Sequence, residues 1–184
     1  MKAFKRRRVA GEAAVRRRKG KGMWISTKGR YGLRMMLDIA VNSGSGPVPV
    51  KDVARREQLS DKYLEQIITL LVKAGLVRSV RGAGGGYLLS APAEQISVGQ
   101  ILRAVEGSLS PTDCVGEDRE KSCVQAHLCA TYELYREMKD AVDQVVDRWT
   151  LRRLMESYYQ KAAGKICPPK DGKSWREAGE GGAG

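Results

Sequence analysis

No stretch of the 184 residues approaches the roughly 20 consecutive apolar residues that a membrane-spanning helix needs. The basic start is not followed by an apolar core, so no secretory signal pattern is visible. The expected compartment is the cytoplasm. Histidine occurs once, as His127. No nucleophile, base and orienter stand together, and the carboxylates scatter over helical faces, which argues against an enzyme. Cysteine is scarce too: Cys114, Cys123, Cys129 and Cys167. In a reducing compartment these four are not a disulfide framework. Hydrophobic residues make up 42% and charged residues 29%, which excludes collagen-like, mucin-like and wholly disordered chains.

Positive charge is what the chain has in excess. The net charge of +12 divides into +9 over residues 1–22, +5 over 23–90 and −2 over 91–184. A basic first half beside a slightly acidic second half points to a polyanion-binding module joined to another part. A solvated basic face is the plainer alternative.

Residues 1–22 have no steady period and are expected to be a disordered basic arm, adding non-specific attraction to phosphates. Met23 stands as an alternative start, which would make the arm non-native. Residues 23–107 form the first folded unit. Ser26 or Thr27 caps a helix to about Asn42, ended by Gly44, Gly46 and Pro47. A short helix spans about Val50–Gln58, and Leu59 and Ser60 make a turn. Ser60 caps a helix to about Ala74, with Leu64, Ile67, Ile68, Leu71 and Val72 inward, and Gly75 stops it. LVRSV (76–80), RGAGGG (81–86) and YLLS (87–90) predict a glycine-tipped hairpin. Ser97 and Gln100 make a capping-box pattern before a helix that Gly107 ends.

Residues 108–129 are polar, cysteine-bearing and aperiodic, and are read as a loop. A long helix follows from about Ala130 to Arg148, with Leu134, Met138, Val142, Val145 and Trp149 on one stripe. A short terminal helix, about Leu151–Gln160, completes the unit over 130–160. Residues 161–184 are expected to be a disordered tail. The fold class is therefore mainly α with a small β-wing.

Helix, short helix, tight turn, capped helix and glycine-tipped hairpin is a winged helix-turn-helix order. In such a head the second helix of the pair enters the major groove, N-terminal side chains first. The candidates for DNA contact there are Ser60, Asp61, Lys62, Tyr63, Glu65 and Gln66. Gln66 has the donor and acceptor to pair with adenine, and Glu65 can accept from cytosine N4. Lys28, Arg30 and Tyr31 would hold phosphates. Arg78 and Arg81 charge the wing, and glycines such as Gly84 and Gly85 would let its backbone approach the sugar-phosphate wall.

Cys114, Cys123 and Cys129 are separated by eight and five residues. Three thiolates on one loop can converge on a soft metal centre, either an iron–sulfur cluster or zinc. Spacing alone leaves reactive thiols and idle cysteines open as well.

The stretches ISTKGRYGLRMMLDIA (25–40) and LSDKYLEQIITLLVKAGLVRSVRGAGGGYLLS (59–90) resemble the Rrf-two family of bacterial transcription regulators. The likeness continues through ISVGQILRAVEG (96–107) to WTLRRL (149–154), and its IscR-like, NsrR-like and CymR-like members are the relevant ones. The resemblance implies a homodimeric, sequence-specific DNA-binding regulator, a repressor or an activator. Its head is a winged helix-turn-helix, and the long helix from about Ala130 forms the dimer interface. It implies that Glu65, in the YLEQ motif, helps choose between operator classes. It also implies that Cys114, Cys123 and Cys129 ligate an iron–sulfur cluster, 2Fe–2S or 4Fe–4S, that senses cluster supply, nitric oxide or redox state.

Two departures concern that cluster. The gap between Cys114 and Cys123 is longer than usual in the family. The usual fourth ligand is missing as well: Tyr132 stands where IscR-like proteins carry a histidine, and Arg30 where NsrR-like ones carry an aspartate. His127 is then the first candidate for the fourth ligand, with Glu117, Asp118, Glu120 and Glu133 as alternatives. Cys167 is expected to be a tail thiol.

Two other functions compete. EGSLSP (106–111) is similar to CymR-like members, which implies a cluster-free regulator of cysteine and sulfur metabolism partnered by a cysteine-synthesis enzyme. From another class, a small zinc protein could bind RNA or act as an adaptor through its basic head.

Overall fold

The structure, a computed structural model, describes residues 25–116 and 128–163. Six helices and one hairpin are present there: α1 Thr27–Asn42, α2 Val50–Glu57, α3 Asp61–Lys73, β1 Val77–Val80, β2 Gly86–Leu89, α4 Val98–Glu106, α5 Tyr132–Arg148 and α6 Leu151–Ala162.

The starts of four helices follow from side-chain chemistry, each supplying an acceptor to an orphan backbone N–H. The Ser26 hydroxyl accepts from Lys28 N at 3.1 Å, Ser60 from Tyr63 N at 3.3 Å and Thr150 from Arg153 N at 3.2 Å. Ser97 and Gln100 form the reciprocal box, at 3.1 and 2.8 Å. The turn between α2 and α3 begins at Gln58, which has a left-handed φ of 56° and ends α2.

The core gathers the inner faces of α1 to α4 with the start of α6. Met36, Ile39, Val53, Leu64, Ile67, Leu71, Ile101 and Leu151 are fully enclosed. Leu64→Ala is expected to lower unfolding free energy by about 2–5 kcal/mol, because a packed site collapses only partly. Chemical denaturation measures it. Val72 departs from the expected inner face and is 39% exposed. At 100° per residue it stands roughly 90° from the centre of the Leu64–Ile67–Ile68–Leu71 stripe.

The hairpin is antiparallel, with Val77 opposite Leu89 and Val80 opposite Gly86. Its second strand is also held by Val48, which exchanges two 2.9 Å backbone hydrogen bonds with Tyr87. Gly86 is required at that contact, since a Cβ there would come within 2.5 Å of the Val48 carbonyl carbon.

The cysteine segment, expected to be wholly loop, contains a short 3-10 turn at Asp113–Val115 whose Val115 is buried. The chain returns in α5, which has no buried residue. Its C-terminal end is pinned to the head by Val98 N donating to the Trp149 carbonyl and Leu151 N to that of Ile96, each at 2.8 Å. The arm over 1–22 and the tail beyond Ala163 lie outside the described residues, Cys167 included. No helix among the described residues is long and apolar enough to cross a membrane.

Candidate nucleic-acid interface

The Ser60 cap and the buried Leu64–Ile67–Leu71 stripe fix which side of α3 faces out. Lys62, Glu65, Gln66 and Thr69 recur at helical spacing on that side, exposed, and line one shallow depression. Thr69, absent from the sequence candidates, could have been found from its i+3/i+4 spacing to Glu65 and Gln66. Its hydroxyl donates back to the Glu65 carbonyl at 2.7 Å. Asp61 is exposed in the first turn. Ser60 is exposed and caps the helix by accepting from Tyr63 N, which leaves its O–H able to donate to a ligand.

Tyr63 is half-buried and meets Tyr31 edge-on, ring centroids 6.0 Å apart. Arg30 and Arg34 lie over the Tyr31 ring at 5.2 and 5.6 Å. This places α1 cations beside α3 and ties the two helices through one aromatic pair. Arg34 also pairs with Glu57. Arg56 forks onto Asp38 at 2.7 and 2.6 Å, locking α2 to α1, and the Asp38 hydrogen bond holds its guanidinium above the usual range. Lys28 is half-buried at the start of α1. Lys51 and Arg55 on α2 are exposed cations that the sequence reading passed over.

On the wing, Arg78 and Arg81 are exposed. Gly84 faces open space, and Gly85 N donates to the Gly82 carbonyl at 2.9 Å in a tight tip. Replacing both arginines with glutamine is expected to weaken binding to every duplex alike. The log–log salt slope should become shallower by about 2 per bound subunit, one unit per lost phosphate contact. A salt titration of binding reads this directly.

The cysteine segment sits at the junction of head and α5. Cys114 is half-buried in the 3-10 turn, its sulfur 3.1 Å from the Thr112 hydroxyl. Cys129 precedes α5, its sulfur 3.3 Å from the Thr131 hydroxyl. The Thr131 side chain, then its backbone N–H, holds the Cys129 thiol below its ordinary range, favouring thiolate. Both are free thiols. Cys123, His127, Glu117, Asp118 and Glu120 lie outside the described residues, and Glu133 is exposed in the first turn of α5. Among the described residues no three potential ligands converge.

Residues 25–157, nearly all of the folded part, match the family described as iron-dependent transcriptional regulator, Rrf2. The chain belongs to the Rrf2 family. A relative named HTH-type transcriptional regulator IscR, from Cronobacter sakazakii, is 43% identical over 135 residues, 73% of this chain and 82% of its own. Among solved structures, T. potens IscR is 37% identical with a TM-score of 0.61, covering 79% of this chain and 93% of that one. CymR, the global cysteine regulator of B. subtilis, is 42% identical with a TM-score of 0.59, covering 73% and 97%. Members of the Rrf2 family regulate transcription and are not enzymes. The fold described above is theirs: mainly α, with a two-stranded wing and a long C-terminal helix. This chain is a DNA-binding transcriptional regulator.

Proposed function

We propose that the chain is a homodimeric, sequence-specific repressor whose operator affinity follows iron–sulfur or redox status through Cys114, Cys123 and Cys129. The observation that carries this reading is the placement of Cys114. Its turn follows α4, whose last residue Glu106 reaches 80 positions back to accept from Ser26 N at 2.9 Å, and from Gly29 N at 2.9 Å. The same turn packs on α5. A shift at Cys114 therefore bears on both the DNA-contacting helix α1 and the long helix.

Homodimerisation is supported by α5. Leu134 and Val145 are 55% and 50% exposed, and the stripe they share with Met138 and Val142 has no buried member. An apolar face of that length left in water favours a second copy.

The donor chemistry fits an iron–sulfur group. Free thiols flank the segment on both sides, and one is already biased to thiolate. Cys114, Cys123 and Cys129 would hold it, with His127 as the fourth ligand. The group would supply a redox- and nitric-oxide-sensitive centre. The residues do the rest. Ligation by Cys114 and Cys129 would draw the two ends of the segment together. Val115 keeps the turn on α5, and Glu106 holds the start of α1. On DNA, Gln66 and Glu65 address base edges while Lys28, Arg30, Arg78 and Arg81 hold phosphates.

Anaerobic purification, with a visible spectrum and iron and acid-labile sulfide assays, tests the reading. Sulfur-to-iron charge-transfer bands with near-equal iron and sulfide are expected. A colourless protein after reconstitution would overturn the cluster. It would favour the cluster-free, thiol-based reading that the similarity to CymR supports, with a cysteine-synthesis enzyme as the partner to seek.

A further inference from the structure

Among the described residues, three attachments of the long helix to the head stand out. One is the backbone pair at Trp149 and Leu151, which pins its C-terminal end. Another is the packing of the Asp113–Val115 turn. The third is polar. Arg103 on α4 forks onto Asp147 at 2.7 and 2.9 Å and also donates to Asp143 at 2.6 Å. Lys139 donates to the other Asp143 oxygen at 2.7 Å. Gly99 lies one turn before Arg103, and a Cβ there would collide with the Asp147 carboxylate. The close approach of α4 to α5 is thus built for this ion pair.

We infer that Arg103, Asp143 and Asp147 form the joint that sets the angle between head and dimer helix, and so the operator half-site spacing the protein accepts. This rests on the homodimeric regulator proposed above. The backbone pair acts as a pivot, and the guanidinium fork, on the next turn of α4, fixes rotation about it. A planar fork bonded to two carboxylates specifies orientation as well as proximity. The lever is long. The 17 residues of α5 span about 25 Å at 1.5 Å per residue. A tilt of about 10° at the pivot moves the far end by about 4 Å, close to the 3.4 Å rise of one base pair. Arg103 is a positioning residue and touches no base.

The test compares wild type, Arg103→Met and Arg103→Lys on palindromic duplexes selected by the wild-type protein from a random pool. Centre-to-centre spacing is then varied by one and two base pairs. Wild type is expected to favour its own spacing by at least about tenfold, a 1.4 kcal/mol preference. Arg103→Met, still folded by circular dichroism and still dimeric by mass, should fall below about threefold. Arg103→Lys should recover part of the preference. Equal weakening at every spacing would mark a merely structural residue and overturn the joint, as would an unchanged preference. A DNA-free readout separates the two ideas: spin labels on an unnatural amino acid at Lys73 of both subunits. Their distance distribution should be narrow in wild type and broad in Arg103→Met. A wild-type protein that selects no duplex defeats the regulator reading. Identical label distributions defeat the joint.

Discussion

Gln66→Ala is expected to weaken operator binding by roughly 5- to 150-fold per half-site, the worth of one lost bidentate base contact at 1–3 kcal/mol. The side chain is exposed on the outer face of α3 with Lys62, Glu65 and Thr69, so its removal opens no cavity. The loss should be sequence-specific. Affinity for the cognate duplex falls, affinity for random duplex barely changes, and preference relaxes at one base pair in each half-site. Glu65→Ala should change preference in the same restricted way and relieve a negative charge facing DNA, so its non-specific binding should rise. Titration against the selected site and single-position variants of it measures both. Uniform weakening across all sequences would instead place Gln66 among the phosphate contacts.

Cys114→Ala is expected to abolish stoichiometric iron, with affinity falling by at least about 100-fold. Outer-shell changes alone cost a metal site 10- to 100-fold, and a ligand costs more. Dimer mass should be unaffected, since Leu134, Val142 and Val145 lie on α5 and not in the turn. The variant's operator affinity should also stop responding to iron chelation. Retention of full iron content would remove Cys114 from the ligand set. Cys129→Ala should match it, with one further sign: the low-range thiol that Thr131 sustains disappears from the pH profile of alkylation.

Local chemistry made most of the fold legible. The caps Ser26, Ser60 and Ser97 announced three helix starts, and Gly75 and Gly107 fell where helices stop, at φ 71° and 84°. Periodicity placed the core stripe of α3 but overran at Val72, one residue beyond the buried arc. Apolar spacing alone does not distinguish a core stripe from an interface stripe on α5. Only its exposure separates the two. Polar pairs distant in sequence gave no signal. Glu106 on Ser26 and Gly29, Arg56 on Asp38 and Arg103 on Asp143 and Asp147 join residues 18 to 80 positions apart. Hydropathy periods carry no information about such partners. The outer face of α3 was legible because it is one helix deep. The proposed coupling to the cysteine segment was not, because it would run through the α4–α1 and α4–α5 contacts.

The joint carries a pH signature as well. Burial pushes the Asp143 carboxyl up, but the hydrogen bonds from Lys139 and Arg103 outweigh it and leave the group below the usual carboxylate range. A depressed folded-state value stabilises above the ordinary carboxylate pKa and loses that contribution as pH falls through the folded one. Stability should therefore drop in acid below about pH 4 less steeply in an Asp143→Asn variant than in wild type. Thermal unfolding against pH reads the difference.

The most direct test is selection from a random duplex pool by anaerobically purified full-length protein, repeated after iron is chelated. The expected result is one palindrome, with half-sites about one helical turn (~34 Å) apart, whose enrichment changes when iron is removed. No enriched sequence, or enrichment indifferent to iron, would contradict a regulator governed by its cysteine segment.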